Sequence, residues 1–151
     1  MTSSEYLPSF GITGAISYNA PSLKGLAPVA VSQIMNRAVL VKAGVQYAYQ
    51  KKRLTVFSWF VAETMSDPTV DFFFLGRYTP RLTEKTDFFL QAETINAFAT
   101  TSAKDNLFVQ RIRIGLKLSY WQFGVGIDIS QAGKKDLTAN SNAGVFLRHE
   151  F

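Results

Sequence analysis

The sequence predicts an all-β protein: a single transmembrane domain over residues 1–151, built as an eight-stranded antiparallel up-and-down β-barrel. Three observations predict it. The first is Asn106 to Ser130, NLFVQRIRIGLKLSYWQFGVGIDIS. Phe108, Gln110, Ile112, Ile114, Leu116 and Leu118 alternate there with Val109, Arg111, Arg113, Gly115 and Lys117. After Tyr120 the phase flips, so that Trp121, Phe123, Val125, Ile127 and Ile129 become the apolar set. Period-two alternation marks extended chain, and a flip across a tight turn marks a hairpin. The second observation is that no run approaches the roughly eighteen uncharged apolar residues that a membrane helix needs, so a membrane span must be made of strands. The third is that Tyr47, Tyr49, Tyr78, Phe88, Tyr120, Trp121 and Phe151 fall at strand ends, as the aromatic girdle of a membrane barrel does.

The strands follow in order. Phe10 to Tyr18 places Phe10, Ile12, Ile16 and Tyr18 on one face. Asn19 to Arg37 is a long connection with Pro21 and Pro28, and its apolar middle, LAPVAVSQIM, reads equally as a short helix, a plug in the lumen or part of a neighbouring strand. Ala38 to Gln50 alternates Val39, Val41, Ala43, Val45, Tyr47 and Tyr49 with Lys42, Gly44 and Gln46. A basic turn leads into Leu54 to Thr64, whose phase is ambiguous, because Phe57, Trp59 and Val61 compete with Val56, Phe60 and Ala62. Either a bulge or an inward aromatic explains it. Thr69 to Tyr78 sets Val70, Phe72 and Phe74 against Asp71 and Arg77. Thr86 to Thr100 sets Phe88, Leu90 and Ala92 against Gln91 and Glu93, then loses its phase near Ile95. The opening hairpin supplies the sixth and seventh strands, Gln131 to Asn142 is a polar loop, and Ala143 to Phe151 is the last strand. An even strand count puts both termini on one side with the short turns, and the longer loops outside.

The faces need a solvent assigned, because alternation alone serves a soluble lipocalin-like barrel as well. The apolar set is bulky along whole strands, too much for a narrow eight-stranded bore, while the other face is rich in glycine. Arg111 or Arg113 turned to mid-bilayer lipid would cost about 2–4 kcal/mol, whereas inside each can pair with Glu93, Asp128 or Glu150. The expected lumen network is therefore Lys42, Glu63, Asp71, Arg77, Glu93, Arg111, Arg113, Lys117, Asp128, Arg148 and Glu150. Bases and acids nearly balance there, so the net charge of +5 sits in turns and loops and forms no nucleic-acid footprint. Eight strands leave a bore filled by side chains, so these charges are read as a closed plug, with an ion path or small-ligand cavity as the alternative.

The absence of cysteine excludes disulfide scaffolds and thiolate metal sites, and one histidine with no acidic triplet predicts neither metal nor cofactor. MTSSEYLPSF has no basic stretch followed by an apolar one, so the expectation is a mature chain from which an export signal has been removed. The loop lysines Lys104, Lys134 and Lys135 are candidate contacts for lipopolysaccharide phosphates, with solvated loop charge as the plain alternative.

The segment GVFLRHEF, Gly144 to Phe151, resembles the closing strand of bacterial outer-membrane barrels, in which a terminal Phe follows alternating apolar residues. Val145, Leu147 and Phe151 match that pattern, and His149 departs from it. The overall plan resembles the small eight-stranded group that includes OmpX and the OmpA transmembrane domain, and the style of the long hairpin resembles barrels of Bacteroidota. The resemblance implies a bacterial outer-membrane location, Val145, Leu147 and Phe151 as a signal read by the barrel assembly machinery, and membrane lipid as the surroundings. It implies a non-catalytic structural or interaction role, as a monomer or as an accessory to another outer-membrane protein. Lipid A-modifying barrels form the enzymatic alternative, but they need a His with Ser and an acid at the outer rim. His149 is expected at the inner rim, and Ser141-Asn142-Ala143-Gly144, similar to a deacylase SNAG run, lacks a preceding His.

Overall fold

The computed structural model describes residues 11–35, 38–65, 68–101, 104–134 and 136–150. They form one antiparallel sheet of nine strands: β1 (Gly11–Ser17), β2 (Leu26–Met35), β3 (Ala38–Lys51), β4 (Leu54–Glu63), β5 (Thr69–Tyr78), β6 (Thr86–Ala99), β7 (Asn106–Leu118), β8 (Trp121–Gly133) and β9 (Thr138–His149). Each strand pairs with the next in sequence, an uninterrupted up-and-down meander. The expected count of eight is corrected by β2, which the ambiguous stretch LAPVAVSQIM forms. Its inward residues Ala27, Val29 and Val31 are buried and apolar, and its outward Ala30 and Ser32 are small, so the stretch carries no alternation to betray it.

The odd count rearranges the ends. The 18–25 connection, with a single 3₁₀ turn at Pro21–Leu23, lies at the same end as the two-residue turns 52–53 and 119–120. The expected division into short turns at one end and long loops at the other therefore does not hold. The start of β1 and the finish of β9 lie at opposite ends. The tight turns open on Lys52 and Ser119, both at left-handed φ (40° and 53°), which matches the twist of the flanking strands. In the 18–25 connection, Gly25 has φ of 100° and lies so close to the Ala48 carbonyl that no side chain fits.

Among the described residues the sheet is open: β1 pairs with β2, β9 pairs with β8, and no ladder joins β1 to β9. It is nonetheless strongly curled. Arg77 of β5 reaches Glu150 beyond β9 at 3.3 Å, and the rings of Phe89 in β6 and Phe146 in β9 lie 5.8 Å apart, contacts that a flat sheet forbids. The curl has a cause in β7 and β8. Gly115 and Gly124 are directly opposite, and a Cβ built on either would run into the backbone of the facing strand, Gly124 Cα at 2.9 Å and Gly115 Cα at 2.6 Å. Paired glycines let the two backbones close up and bend. Their role is this close approach, rather than simple room for long charged neighbours.

The unsettled phases resolve without bulges. The β3–β4 and β4–β5 registers are continuous, so β4 turns Phe57, Trp59 and Val61 inward and leaves Phe60 53% exposed. The register of β6 also runs unbroken through Ile95. Its outward row simply becomes polar there, with the Thr94 hydroxyl donating to Asn96 at 3.3 Å.

Candidate functional site

Alternation along β3 to β9 delivers one set of ionisable side chains to the concave face, and curvature brings them together across strands. The Lys42 ammonium pairs with Asp71 of β5, two strands away, although its register partner is Glu63. Glu63 instead accepts from Thr69 at 3.2 Å and from Lys104 at 3.0 Å. Arg111 lies 3.6 Å from Glu93, its register partner on β6, and Arg113 lies 3.4 Å from Asp128 of β8. Glu150 takes Arg77 at 3.3 Å on one oxygen and Lys117 on the other. All eleven residues expected in this network are thus on one face. Ten of them form ion pairs, and Arg148 instead donates to Gln122 Oε1, from Nε at 3.0 Å.

Several partners were not singled out from sequence. Gln91 and Gln122 are buried, 3% and 0% exposed, and each stands directly opposite an arginine in the ladder: Arg77 across from Gln91, Arg148 across from Gln122. Arg77 Nε donates to Gln91 at 2.9 Å, and Gln91 passes a hydrogen bond to Glu93 at 2.5 Å. Arg77 and Arg148 also lie over the ring of fully buried Phe89, 5.6 and 5.3 Å from its centre. The signal that marks these glutamines is a polar inward residue paired across the ladder with an arginine. Lys104, a candidate lipopolysaccharide contact by sequence, is committed to Glu63. The Lys134 carbonyl accepts from Asn106 at 3.4 Å, and Lys135 lies outside the described residues.

The concave face is divided lengthwise. Over β2 to β5 it carries an apolar and aromatic patch beside the Lys42–Asp71 pair: Val29, Val31 and Val61 are buried together, and the Trp59 ring meets Phe57 edge-on at 5.8 Å and Phe73 at 5.5 Å. Over β7 to β9 it is open and polar, a groove lined by Arg113, Gly126, Asp128, Asn142, Gly144 and Phe146. The ion pairs extend over both sectors, from Lys42–Asp71 on β3 and β5 to Arg113–Asp128 on β7 and β8.

The convex face carries the apolar alternation. Ile112, Ile114, Val125 and Ile127 are 41–59% exposed, and Val145 and Leu147 are 88% and 70% exposed. Of the expected girdle, Tyr47, Tyr49, Tyr78, Tyr120 and Trp121 are exposed and Phe88 is half-buried, all near the end of the sheet that holds the two-residue turns. Phe151, expected both in the girdle and in the assembly signal, lies outside the described residues. The His149 ring meets Trp121 edge-on at 4.7 Å, and Ser141 is eight positions away along β9, about 26 Å in extended chain. Those two residues do not form one site. Among the described residues no three His, Cys, Asp or Glu side chains cluster as metal ligands.

No family model matches this sequence, and neither the curated proteins nor the solved structures yield a match.

Proposed function

We propose that this chain forms the wall of a bacterial outer-membrane β-barrel with a non-catalytic role, structural or as an accessory to another membrane protein. One observation carries the reading: the convex face is greasy and exposed while the concave face holds the paired charges. A soluble lipocalin-like barrel has the opposite polarity, with apolar residues within. Here Ile112 and Ile114 are exposed, and Arg113 between them turns inward onto Asp128. Exposed alternating hydrocarbon over nearly every strand is far more than the apolar patch a soluble monomer leaves in water.

The dimensions agree with a membrane wall. Along β8 the outward residues run Trp121, Phe123, Val125, Ile127, Ile129 and then Gln131, roughly 26 Å of apolar strand between an aromatic ring and a polar residue. Tilted by about 35–45°, that is a band near 20 Å high, somewhat short of the ~25 Å of known walls. The likeness of Gly144 to Phe151 to a strand of bacterial outer-membrane barrels and the exposed Val145 and Leu147 support the same location and recognition by the assembly machinery.

Extraction tests this. The protein should sediment with membranes through salt and alkaline washes, require detergent for release, and migrate differently on gels before and after boiling. A protein that stays monomeric in detergent-free buffer sinks the proposal.

A further inference from the structure

The positive charge is concentrated at one rim. At the end of the sheet with the two-residue turns lie Lys24, Lys51, Lys52, Arg53, Arg81 and Lys85, against Glu84 and Asp87. At the other end the described residues balance, Lys104 and Lys134 against Asp105 and Asp136. Among the described residues none of those six cations forms an ion pair. Lys51, Lys52 and Arg53 sit together on the β3–β4 turn, and all three are exposed. Lys52 holds its left-handed φ of 40°, and the Arg53 carbonyl accepts from the Thr79 N–H at 2.9 Å, which ties the turn to the end of β5. With Tyr49, Leu54 and Tyr78 these cations line a cavity of about 480 Å³. Leu54 and Tyr78 also line a second cavity, of about 370 Å³, whose wall is almost wholly hydrocarbon. It lies on the convex face, over the paired row Val56, Gly76, Ala92 and Ile112, in which the two central residues are small. Phe74 bounds it away from the rim, and a Cβ built on Gly76 would meet that ring at 3.2 Å.

A cationic turn joined to an apolar dent fits an amphiphile rather than a soluble anion. Ammonium and guanidinium groups take a phosphate, hydrocarbon takes an acyl chain, and phenols suit the boundary between the two. We propose that this is a fixed binding site for one anionic glycerophospholipid. Its phosphate is held by Lys51, Lys52 and Arg53, and one acyl chain lies in the groove over Gly76 and Ala92. No carboxylate lines the cation cavity, so nothing there meets the ammonium of a zwitterionic headgroup. One cation cluster beside one groove suits a single phosphate with one seated chain, whereas a lipid A molecule, with two phosphates and several chains, exceeds it. The site rests on the membrane reading, because only a wall within a bilayer presents its convex face to lipid.

The full chain, folded in detergent, is titrated with dioleoyl phosphatidylglycerol or dioleoyl phosphatidylcholine, and retained lipid is counted by native mass spectrometry. Expected is one retained phosphatidylglycerol at concentrations where phosphatidylcholine is lost. K51Q/K52Q/R53Q should weaken that retention on the order of a hundredfold. Ala92→Trp, at an exposed position, should fill the groove and release the lipid with every cation still in place. R81Q/K85Q removes two cations of the same rim that do not line the cavity and should leave retention unchanged. Gel mobility before and after boiling confirms folding of each variant, and the single changes K51Q, K52Q and R53Q replace the triple one if it does not fold. The proposal is overturned if the two lipids are retained equally, if R81Q/K85Q acts as strongly as the triple change, or if folded Ala92→Trp binds like the unaltered chain. Preferential retention of lipid A overturns it too. A chain that stays monomeric without detergent sinks the membrane reading itself, whereas one that needs detergent yet holds no phosphatidylglycerol sinks this site alone.

Discussion

Glu150 shows how the concave face is held by single side chains. Its two oxygens serve bases on β5 and β7, so a neutral amide in its place leaves Arg77 and Lys117 facing each other with half their acceptor capacity gone. Glu150→Gln should lower stability by about 1–2 kcal/mol, the partial exposure of all three groups keeping the loss below that of a dry pair. Urea titration of the folded band reads it, and a shift indistinguishable from zero would show the pairs to be incidental. At this scale the sequence was informative about sign and face, because a charge in mid-strand can sit on only one side of the sheet. It offered Glu93, Asp128 and Glu150 as partners for Arg111 and Arg113 without choosing among them, and it named no partner for Lys42. Lys42 passes over its register partner Glu63 for Asp71, and that choice depends on curvature that no local pattern encodes.

Strands were legible where their two faces meet different surroundings. The limits of β3, β4, β5 and β6 fall within one residue of those expected, because turn residues bracket all four, even though β4 is ambiguous in phase and β6 loses its alternation near Ile95. Two elements failed the same test for opposite reasons. β2 is apolar or small on both sides, and the first half of β9, TANSN, is polar or small on both, so neither carries a period of two. β9 consequently begins at Thr138, within what reads as a polar loop. Within the sheet, a Cβ on Gly115 or Gly124 would come within 2.1 Å of a carbonyl oxygen on the facing strand. Gly115→Val should force the strands apart and cost roughly 1–3 kcal/mol, whereas Gly126→Ala, whose nearest neighbour is the flexible Arg113 stem at 3.3 Å, should cost less. Comparing their denaturation midpoints in detergent checks the order, and equal midpoints would remove the glycine pair as the source of the bend.

For the molecule as a whole, the decisive property is which face meets solvent. Ile112→Lys places a cation midway along the convex wall, next to exposed Ile114 and Ile127. In a bilayer this change should cost about 2–4 kcal/mol, while on a water-facing surface it would be close to neutral. Folding titrations in lipid vesicles distinguish the two, and a neutral result would mean that this face does not touch acyl chains. The sheet order and its handling of charge follow from the residues one strand at a time. Its open state does not, because closure depends on what lies beside β1 and β9, outside the reach of any local period.

The apolar patch and the polar groove of the concave face would wet differently. Trp59, Phe57 and Phe73 present dry rings on one side, while Arg113, Asp128 and Asn142 on the other offer hydrogen bonds at every step. Water lying along the concave side would gather in the β7–β9 groove and leave the Trp59 rings dry. An ion entering that groove would meet both a cation, Arg113, and an anion, Asp128, already paired with each other, so the groove would favour neither sign.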